Sequence, residues 1–273
     1  HKNEECYEHV YILHHPDEER PACRPLRTFP SYEKLKGLGA QFGQVNGWER
    51  PNYFALNNFS DKESRSFRRG KWWSYTKSEA EAIRKNVGLI DISAFTKHII
   101  KGPGATRFLD WFTCNKLPRV NRINLTYALT PTGTVRSEYT IVRKNSEEYY
   151  LISAGALTDY DQDYLIKNAQ DKMEEFGYIE IQDVTSQFGA FSIAGPKSRE
   201  LLQKITRDDV SNSKFKFRDS RHIFVGGVPA IVNRISFTGE LGYEIYVAPH
   251  FQLKLYEELI EAGKEFNIKP FGS

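Results

Sequence analysis

Apolar and polar positions are arranged differently in the first 70 residues and in the rest of the chain. Residues 1–24 show neither the alternation of a strand nor the apolar stripe of a helix. Residues 25–55 hold several prolines and glycines, which predicts only short elements there. Residues 57–70 are polar and Ser-rich, which is typical of an exposed connector. We therefore predict three segments: residues 1–24, a small central domain with its linker at 25–72, and a main domain at 73–273.

Beyond residue 72 the hydrophobic periodicity predicts both helices and strands. A Thr76-Glu79 capping box, followed by apolar residues at helical spacing and by Gly88, predicts a short helix. Further helices are predicted at residues 105–114, 158–177 and 250–266. Runs rich in β-branched and aromatic residues predict strands at 97–101, 125–130, 135–142, 149–153, 178–184, 188–194, 221–225 and 229–247. The three runs between 125 and 153 predict an antiparallel meander, and the whole pattern predicts an α+β fold.

One short motif occurs twice, 93 residues apart. Residues 100–109 (IKGPGATRFL) and 193–202 (IAGPKSRELL) share a Gly-Pro pair that begins at Gly102 and at Gly195. Glycine permits a tight turn, and proline suits the first position of a helix because that position needs no N–H. The repeat predicts two related α+β modules with antiparallel sheets, whose Gly-Pro turns lie in equivalent places. Chance similarity of a common turn is the alternative.

Composition and charge narrow the function classes. The 273 residues are 40% hydrophobic and 14% aromatic, which is enough for a sizeable core. The net charge of +3 comes from 38 basic and 35 acidic residues that are interspersed, which argues against a nucleic-acid surface. No apolar run reaches the roughly 18 residues of a membrane span. Cys6, Cys23 and Cys114 have no CxxC spacing, which favours free thiols in a reducing compartment over a disulfide framework or a metal site.

Two glutamates are candidates for chemistry. Glu240 lies in residues 238–242 (TGELG), between two strand runs, where the glycines let a ligand approach the backbone. A carboxylate there accepts two N–H donors from a flat heterocycle such as a pterin or guanine; a solvated turn glutamate is the alternative. Glu138 lies in a strand whose alternation places it on one face with Arg136. One hypothesis is that Glu138 forms a hydrogen bond or exchanges a proton with an amine substrate. The alternative is an ion pair between Glu138 and Arg136 or Arg143.

Five short motifs follow one another in a recognisable order. They are residues 47–54 (GWERPNYF), 66–69 (SFRR), 129–133 (LTPTG), 193–196 (IAGP) and 236–244 (SFTGELGYE). In this order they resemble the C-terminal part of the dimethylglycine and sarcosine dehydrogenase family. Its folate-binding domain is similar to the aminomethyltransferase of the glycine cleavage system. The resemblance implies an aminomethyltransferase-like fold after a small central domain, with tetrahydrofolate as cofactor and FAD in an N-terminal domain. It also implies oxidation of an N-methylated glycine, with the one-carbon unit captured as 5,10-methylenetetrahydrofolate.

The resemblance also assigns roles to residues of this chain. The cofactor-binding candidates are Glu240 as the main pterin anchor, Tyr127, Ser153 through its backbone, and Phe217. Glu138 matches the second of two adjacent acidic residues in aminomethyltransferases, and Ser137 stands in the place of the first, a catalytic aspartate. Glu138 and Ser137 are therefore the candidate catalytic residues. With Ser137 at that position, the resemblance does not extend to aminomethyl transfer from a lipoyl carrier.

The resemblance predicts an interior piece of a longer enzyme. Residues 1–24 resemble the tail of the FAD domain, and the family's C-terminal barrel is expected after residue 273. The expected partners are a methylated amine and folate, with no nucleic acid and no membrane, and the electron acceptor stays open. The expected compartment is the cytoplasm of a bacterium or the mitochondrial matrix of a eukaryote. Two alternatives remain: a catalytically silent, regulatory relative like the dehydrogenase-like subunit of pyruvate dehydrogenase phosphatase, and an aminomethyltransferase-type domain of another one-carbon enzyme.

The sequence also predicts that the purified chain carries no flavin. It contains neither a G-x-G-x-x-G loop nor a Walker-type loop, which are the common cradles for nucleotide phosphates at helix N-termini. We expect an absorbance spectrum without flavin bands, and a yellow protein with bound flavin would contradict this.

Overall fold

A computed structural model describes residues 1–15, 18–56 and 67–273. Most of the predicted connector at 57–70, including Ser66 of the SFRR motif, lies outside the described residues. The first helix, α1 (Lys2–Glu8), buries none of its side chains. None of the helices in the described part of the chain is long and apolar enough to cross a membrane. The three cysteines are free thiols, as the sequence predicted.

Residues 25–56 contain the short elements that their prolines and glycines predicted. These are α2 (Tyr32–Gly37), β1 (Ala40–Val45) and β2 (Trp48–Phe54). The strands form an antiparallel hairpin whose turn residues, Asn46 and Gly47, have φ angles of 46° and 80°. Two-residue hairpin turns need such positive angles. Trp48 stacks on Phe29 with ring centroids 4.4 Å apart. The division of the chain into three segments stays a prediction.

The helix predicted from a capping box begins earlier and is not capped by that motif. α3 spans Trp72–Lys85. Glu79, the acidic residue of the motif, instead accepts hydrogen bonds from the backbone N–H groups of Phe54 at 2.7 Å and Gly272 at 3.1 Å. Gly88 does not end the helix but begins a strand, β3 (Gly88–Asp91). The capping-box prediction was wrong because Glu79 satisfies donors that are distant in sequence.

The first module is a five-stranded sheet with two helices packed on it. Its elements are β4 (Thr96–Lys101), α4 (Ala105–Phe112), β5 (Arg122–Leu129), β6 (Val135–Arg143), β7 (Glu148–Ser153), α5 (Thr158–Phe176) and β8 (Glu180–Asp183). The strand order is β5-β6-β7-β4-β8, with all neighbours antiparallel. Phe108, Tyr139 and Leu165 are buried between the sheet and the helices. The predicted meander is confirmed.

The second module is a six-stranded sheet that recruits β3. Its own elements are β9 (Gly189–Ala194), α6 (Ser198–Ile205), β10 (Ser220–Val225), β11 (Val228–Asn233), β12 (Gly242–Val247), α7 (Pro249–Gly263) and β13 (Lys269–Pro270). The order is β10-β11-β12-β9-β3-β13, antiparallel except for the β13–β3 pair. The two strand runs predicted within 229–247 are β11 and β12, and the loop that joins them spans residues 234–241. The Ile235 N–H donates to the Asn233 carbonyl, and this tight turn ends β11.

The two modules repeat the same plan. In each, a central strand leads through the Gly-Pro turn into a helix and a three-stranded meander, whose last strand pairs with the central strand. Gly102 and Gly195 have φ angles of 120° and 126°. Their N–H groups donate to carbonyls at matching places, Glu147 and Leu241. The predicted α+β fold of two related modules is confirmed.

Candidate functional site

The sheets of the two modules face each other. Ile123 and Val142 of the first sheet pack with Tyr246 of the second. Side chains alternate along a strand, so Ile123, Leu125 and Tyr127 of β5 lie on one side of the first sheet. Ile123 is fully buried, whereas Leu125 is 45% exposed and Tyr127 is half-buried. The two sheets therefore form a cleft, here called the inter-sheet cleft, which is closed at Ile123 and open toward Tyr127.

A cavity of about 20 Å³ lies at the floor of the inter-sheet cleft, with room for about one water molecule. It is lined by Lys97, Val142, Tyr150, Ile152, Phe188, Ile231, Asn233 and Tyr246. Asn233 is 1% exposed, and its side-chain oxygen Oδ1 has no hydrogen-bond partner in the described part of the chain. An unpaired buried polar atom costs free energy. The floor therefore offers an acceptor to a water molecule or to a ligand N–H.

Glu244 of β12 lies on the same face as Tyr246. The Tyr246 hydroxyl donates to the Glu244 carboxylate at 2.6 Å. Burial raises the pKa of Glu244, while this hydrogen bond and the charge of Lys97 oppose the increase. A carboxylate has about four acceptor positions, so one bond from Tyr246 leaves Glu244 able to accept further N–H groups.

Glu240 lies in the loop at 234–241, as predicted, and its side chain is half-exposed. Its backbone N–H donates to the Thr238 hydroxyl at 3.4 Å. Within the described residues its carboxylate has no hydrogen bond or ion pair. The neighbouring Phe237 is 91% exposed. The role of Glu240 as the main pterin anchor stays a prediction.

Glu138 and Tyr127 are brought together at the open end of the cleft. They lie directly opposite each other on β6 and β5. The Tyr127 hydroxyl donates to the Glu138 carboxylate, which raises the pKa of Tyr127. Glu138 is otherwise exposed to solvent. The pair places an exposed carboxylate and a phenol hydroxyl where a ligand would enter.

Neither of the arginines considered as partners of Glu138 pairs with it. A bulge between β5 and β6 shifts the register and turns Arg136 toward α5, where its guanidinium lies over the Tyr160 ring and donates to the Tyr160 carbonyl. Arg143 donates to the carbonyls of residues 145–146. The prediction that Arg136 and Glu138 share a face was wrong because the bulge interrupts the alternation.

A family model for the GCVT N-terminal domain matches residues 31–273. The chain belongs to the GCVT family. This GCVT chain is 34% identical over its full length to mitochondrial dimethylglycine dehydrogenase of Mus musculus, and it spans 31% of that protein. It is 33% identical over 90% of its length to an aminomethyltransferase of Caldanaerobacter subterraneus, of which it spans 60%. It is 28% identical over 96% of its length to 4-methylaminobutanoate oxidase (formaldehyde-forming) of Paenarthrobacter nicotinovorans, and it spans 31% of that protein.

The fold of the GCVT chain is also found in a solved structure. The glycine cleavage system aminomethyltransferase T from Bartonella henselae superposes with a TM-score of 0.71 at 21% sequence identity. The match covers 90% of this chain and 60% of that one. The aminomethyltransferase-like fold that the sequence motifs implied is therefore confirmed.

Ser137 and Ser153 of the GCVT chain face away from the inter-sheet cleft. Ser137 is 3% exposed, and its hydroxyl donates to the Asp161 carboxylate at 3.0 Å. The Ser153 hydroxyl donates to the same Asp161 oxygen at 2.8 Å. In the sheet, Ser153 lies opposite Thr96 of β4. Ser137 and Glu138 therefore lie on opposite faces of the sheet. The hydroxyl of Ser137 is engaged inside the first module, so its contacts give no support to a catalytic role.

Phe217 lies where the two modules meet, in the loop before β10. Its side chain is exposed, and the neighbouring Arg218 donates to Asn124 of β5 at 3.1 Å. This is the closed end of β5, so the structure does not bring Phe217 together with Tyr127. Its part in a folate pocket stays a prediction.

Sequence reasoning missed Lys97, Asn233 and Glu244. Each is a polar residue in a strand, and Glu244 lies between Tyr243 and Ile245. That signal was present in the sequence. In an alternating strand such positions are typical of a solvated face, but two sheets that pack face to face also bury this side.

Proposed function

We propose that this chain is the folate-binding part of an enzyme that oxidises an N-methyl amine of the dimethylglycine or sarcosine type with FAD. In this proposal the one-carbon unit passes to tetrahydrofolate and gives 5,10-methylenetetrahydrofolate. Membership of the GCVT family and the dimethylglycine dehydrogenase relative support the reaction class. The aminomethyltransferase relative and fold support the one-carbon chemistry. The proposal assigns FAD to a part of the enzyme other than the residues described.

The observation that carries the proposal is the unpaired Asn233 oxygen at the cleft floor, with Glu244 directly opposite Asn233 on the neighbouring strand. A pterin presents an amino group and a ring N–H along one edge, and these donors need acceptors when they are buried. Glu244 and Asn233 supply acceptors on one face of one sheet, so the residues present fit such an edge. When bound, tetrahydrofolate supplies the two nitrogens that take up the one-carbon unit.

Glu138 and Tyr127 serve this proposal at the open end of the cleft. A nitrogen that forms a new bond to carbon must lose a proton, and an exposed carboxylate within reach accepts it. Glu138 is exposed and hydrogen-bonded to Tyr127, so the proton is received at its carboxylate and the phenol orients that group. Glu138 is the candidate catalytic residue that the geometry supports.

Calorimetry with tetrahydrofolate tests the proposal on the protein and on two single variants. Glu244→Gln keeps the shape and one acceptor oxygen but replaces the other oxygen with an NH₂ donor, and one buried ligand N–H left unpaired costs about 1 to 3 kcal/mol. We therefore expect Glu244→Gln to weaken binding by about 10²-fold. Glu240→Gln, four residues away on the half-exposed loop, is expected to weaken it by less than about threefold.

The opposite ranking would restore Glu240 as the main anchor, as the sequence predicted. Failure of the unchanged protein to bind tetrahydrofolate would remove the folate proposal altogether. It would favour a relative that has lost folate transfer. Two observations support that alternative: Ser137 stands in the place of an aspartate, and one relative is named as formaldehyde-forming.

A further inference from the structure

A hydrogen-bond donor and an acceptor line the cavity at the floor of the inter-sheet cleft from opposite walls. Lys97 belongs to β4 of the first sheet, and Asn233 belongs to β11 of the second. Both residues are buried, with 2% and 1% of their surfaces exposed. Most of the other lining residues are apolar, namely Val142, Ile152, Phe188 and Ile231. Polar groups that lack partners are costly in such surroundings, so these two mark a place for a polar group of a ligand.

The Lys97 ammonium is only partly satisfied by the protein. Its Nζ donates to the carbonyl oxygens of Ser93 and Phe95, both at 2.7 Å. An ammonium has three N–H donors, and within the described residues the third has no acceptor. A hydrogen bond from a charged donor is stronger than one between neutral groups. An acceptor that enters the cavity lined by Lys97 therefore gains a strong hydrogen bond.

The unpaired donor of Lys97 and the unpaired Oδ1 of Asn233 together select a kind of ligand edge. The complement of a donor beside an acceptor is a cyclic lactam, which presents a carbonyl oxygen next to a ring N–H. The cavity of about 20 Å³ has the size of one water molecule, and a carbonyl oxygen is about as large. The carbonyl oxygen can therefore enter the cavity while the ring lies in the cleft.

We propose that Lys97 determines the specificity of the folate site by donating its third N–H to the pterin carbonyl oxygen, while Asn233 accepts the neighbouring ring N–H. This inference rests on the proposed function, and it names the ligand class as 4-oxopteridines. In a 4-aminopteridine an amino donor replaces the carbonyl acceptor, and the neighbouring ring nitrogen carries no proton. Its amino group then meets the Lys97 ammonium, and its ring nitrogen meets the Asn233 oxygen, so neither pair forms a hydrogen bond.

Calorimetry with tetrahydrofolate and with its 4-amino analogue tests this at about pH 6. Burial lowers the pKa of Lys97 to about 7, so the side chain is an ammonium at that pH. We expect the unchanged protein to bind tetrahydrofolate about 10²-fold more tightly than the 4-amino analogue, because the analogue leaves two buried polar groups unpaired. In Lys97→Met this preference should fall to about tenfold or less, since the contact with Asn233 alone remains.

Lys101→Met is the matched control, because Lys101 lies on the same strand with a half-exposed side chain that pairs with Glu180. It should keep the preference of the unchanged protein. If Lys97→Met binds both ligands more weakly by the same factor, Lys97 has a packing role and the proposal is overturned. If the unchanged protein binds tetrahydrofolate without preferring it, the proposal fails while the proposed function stands. If it binds neither ligand, both fail.

A second measurement uses the unchanged protein and does not depend on how well Lys97→Met folds. The ¹⁵Nζ resonance of Lys97, assigned through the protons of its own side chain, is recorded at the same pH with and without each ligand. We expect it to shift when tetrahydrofolate binds and to shift less with the 4-amino analogue, whereas the resonance of Lys101 should not move. A Lys97 resonance that stays in place in the tetrahydrofolate complex overturns the proposal.

Discussion

Gly195→Ala is expected to destabilise the fold by about 4 kcal/mol, the sum of a backbone cost of about 1–2 kcal/mol and an overlap cost of about 1–3 kcal/mol. Gly195 has a φ of 126°, which residues with a Cβ rarely adopt. A Cβ added there would lie 2.5 Å from the carbonyl oxygens of Ile83 and Asn86. Both are backbone atoms, so no side-chain rotation relieves the overlap, and the unfolding equilibrium should change by roughly 10³-fold.

Urea unfolding of three variants separates the two costs. At Gly102, where φ is 120°, an added Cβ would lie 2.6 Å from the Tyr178 carbonyl oxygen. Gly102→Ala should therefore lower the free energy of unfolding by as much as Gly195→Ala. Gly133→Ala has a φ of 83° but nothing within 4 Å, so it should cost only about 1 kcal/mol. Equal losses for Gly195→Ala and Gly133→Ala would contradict the argument. Equal losses at Gly102 and Gly195 would show that the two turns carry the same strain.

The features predicted correctly from the sequence have local causes. A Gly-Pro pair specifies a turn into a helix through its own backbone, and this holds at residues 102–103 and 195–196. The meander between 122 and 153 follows from β-branched runs separated by turn residues. The two modules could therefore be predicted without knowing how they pack.

The features that the sequence did not reveal depend on contacts between distant segments. The sequence predicted that Glu79 caps a helix, but its carboxylate accepts hydrogen bonds from the N–H groups of Phe54 in the hairpin and Gly272 near the C-terminus. Arg136 left its expected face because a bulge forms against β5. The sequence analysis gave Glu244 no role, although burial raises its pKa in the structure. Periodicity shows which residues share a face of a strand, and it does not show what that face meets.

Asp91→Ala is expected to cost about 4 kcal/mol, because it leaves three buried donors without an acceptor at about 1–3 kcal/mol each, partly offset by relaxation. The Asp91 carboxylate accepts hydrogen bonds from the Ser31 hydroxyl, the Ser93 N–H at 2.8 Å and the Gln252 amide at 3.2 Å. These donors come from the residue before α2, from the loop after β3 and from α7. One side chain therefore ties the hairpin region to the second module.

Urea unfolding and hydrogen exchange of residues 40–54 measure this loss. Asp183→Ala is the matched control, because Asp183 also faces Lys97 but is exposed, and within the described residues it accepts hydrogen bonds from Thr185 alone. It should cost about 1 kcal/mol and leave exchange in the hairpin unchanged. The loss of unfolding free energy in Asp91→Asn should lie between those of the two alanine variants. The amide oxygen of the variant still accepts from the Ser93 N–H, whereas its NH₂ group faces the other two donors and cannot accept from them. If Asp91→Ala is no more damaging than Asp183→Ala, then Asp91 does not hold the hairpin against the second module.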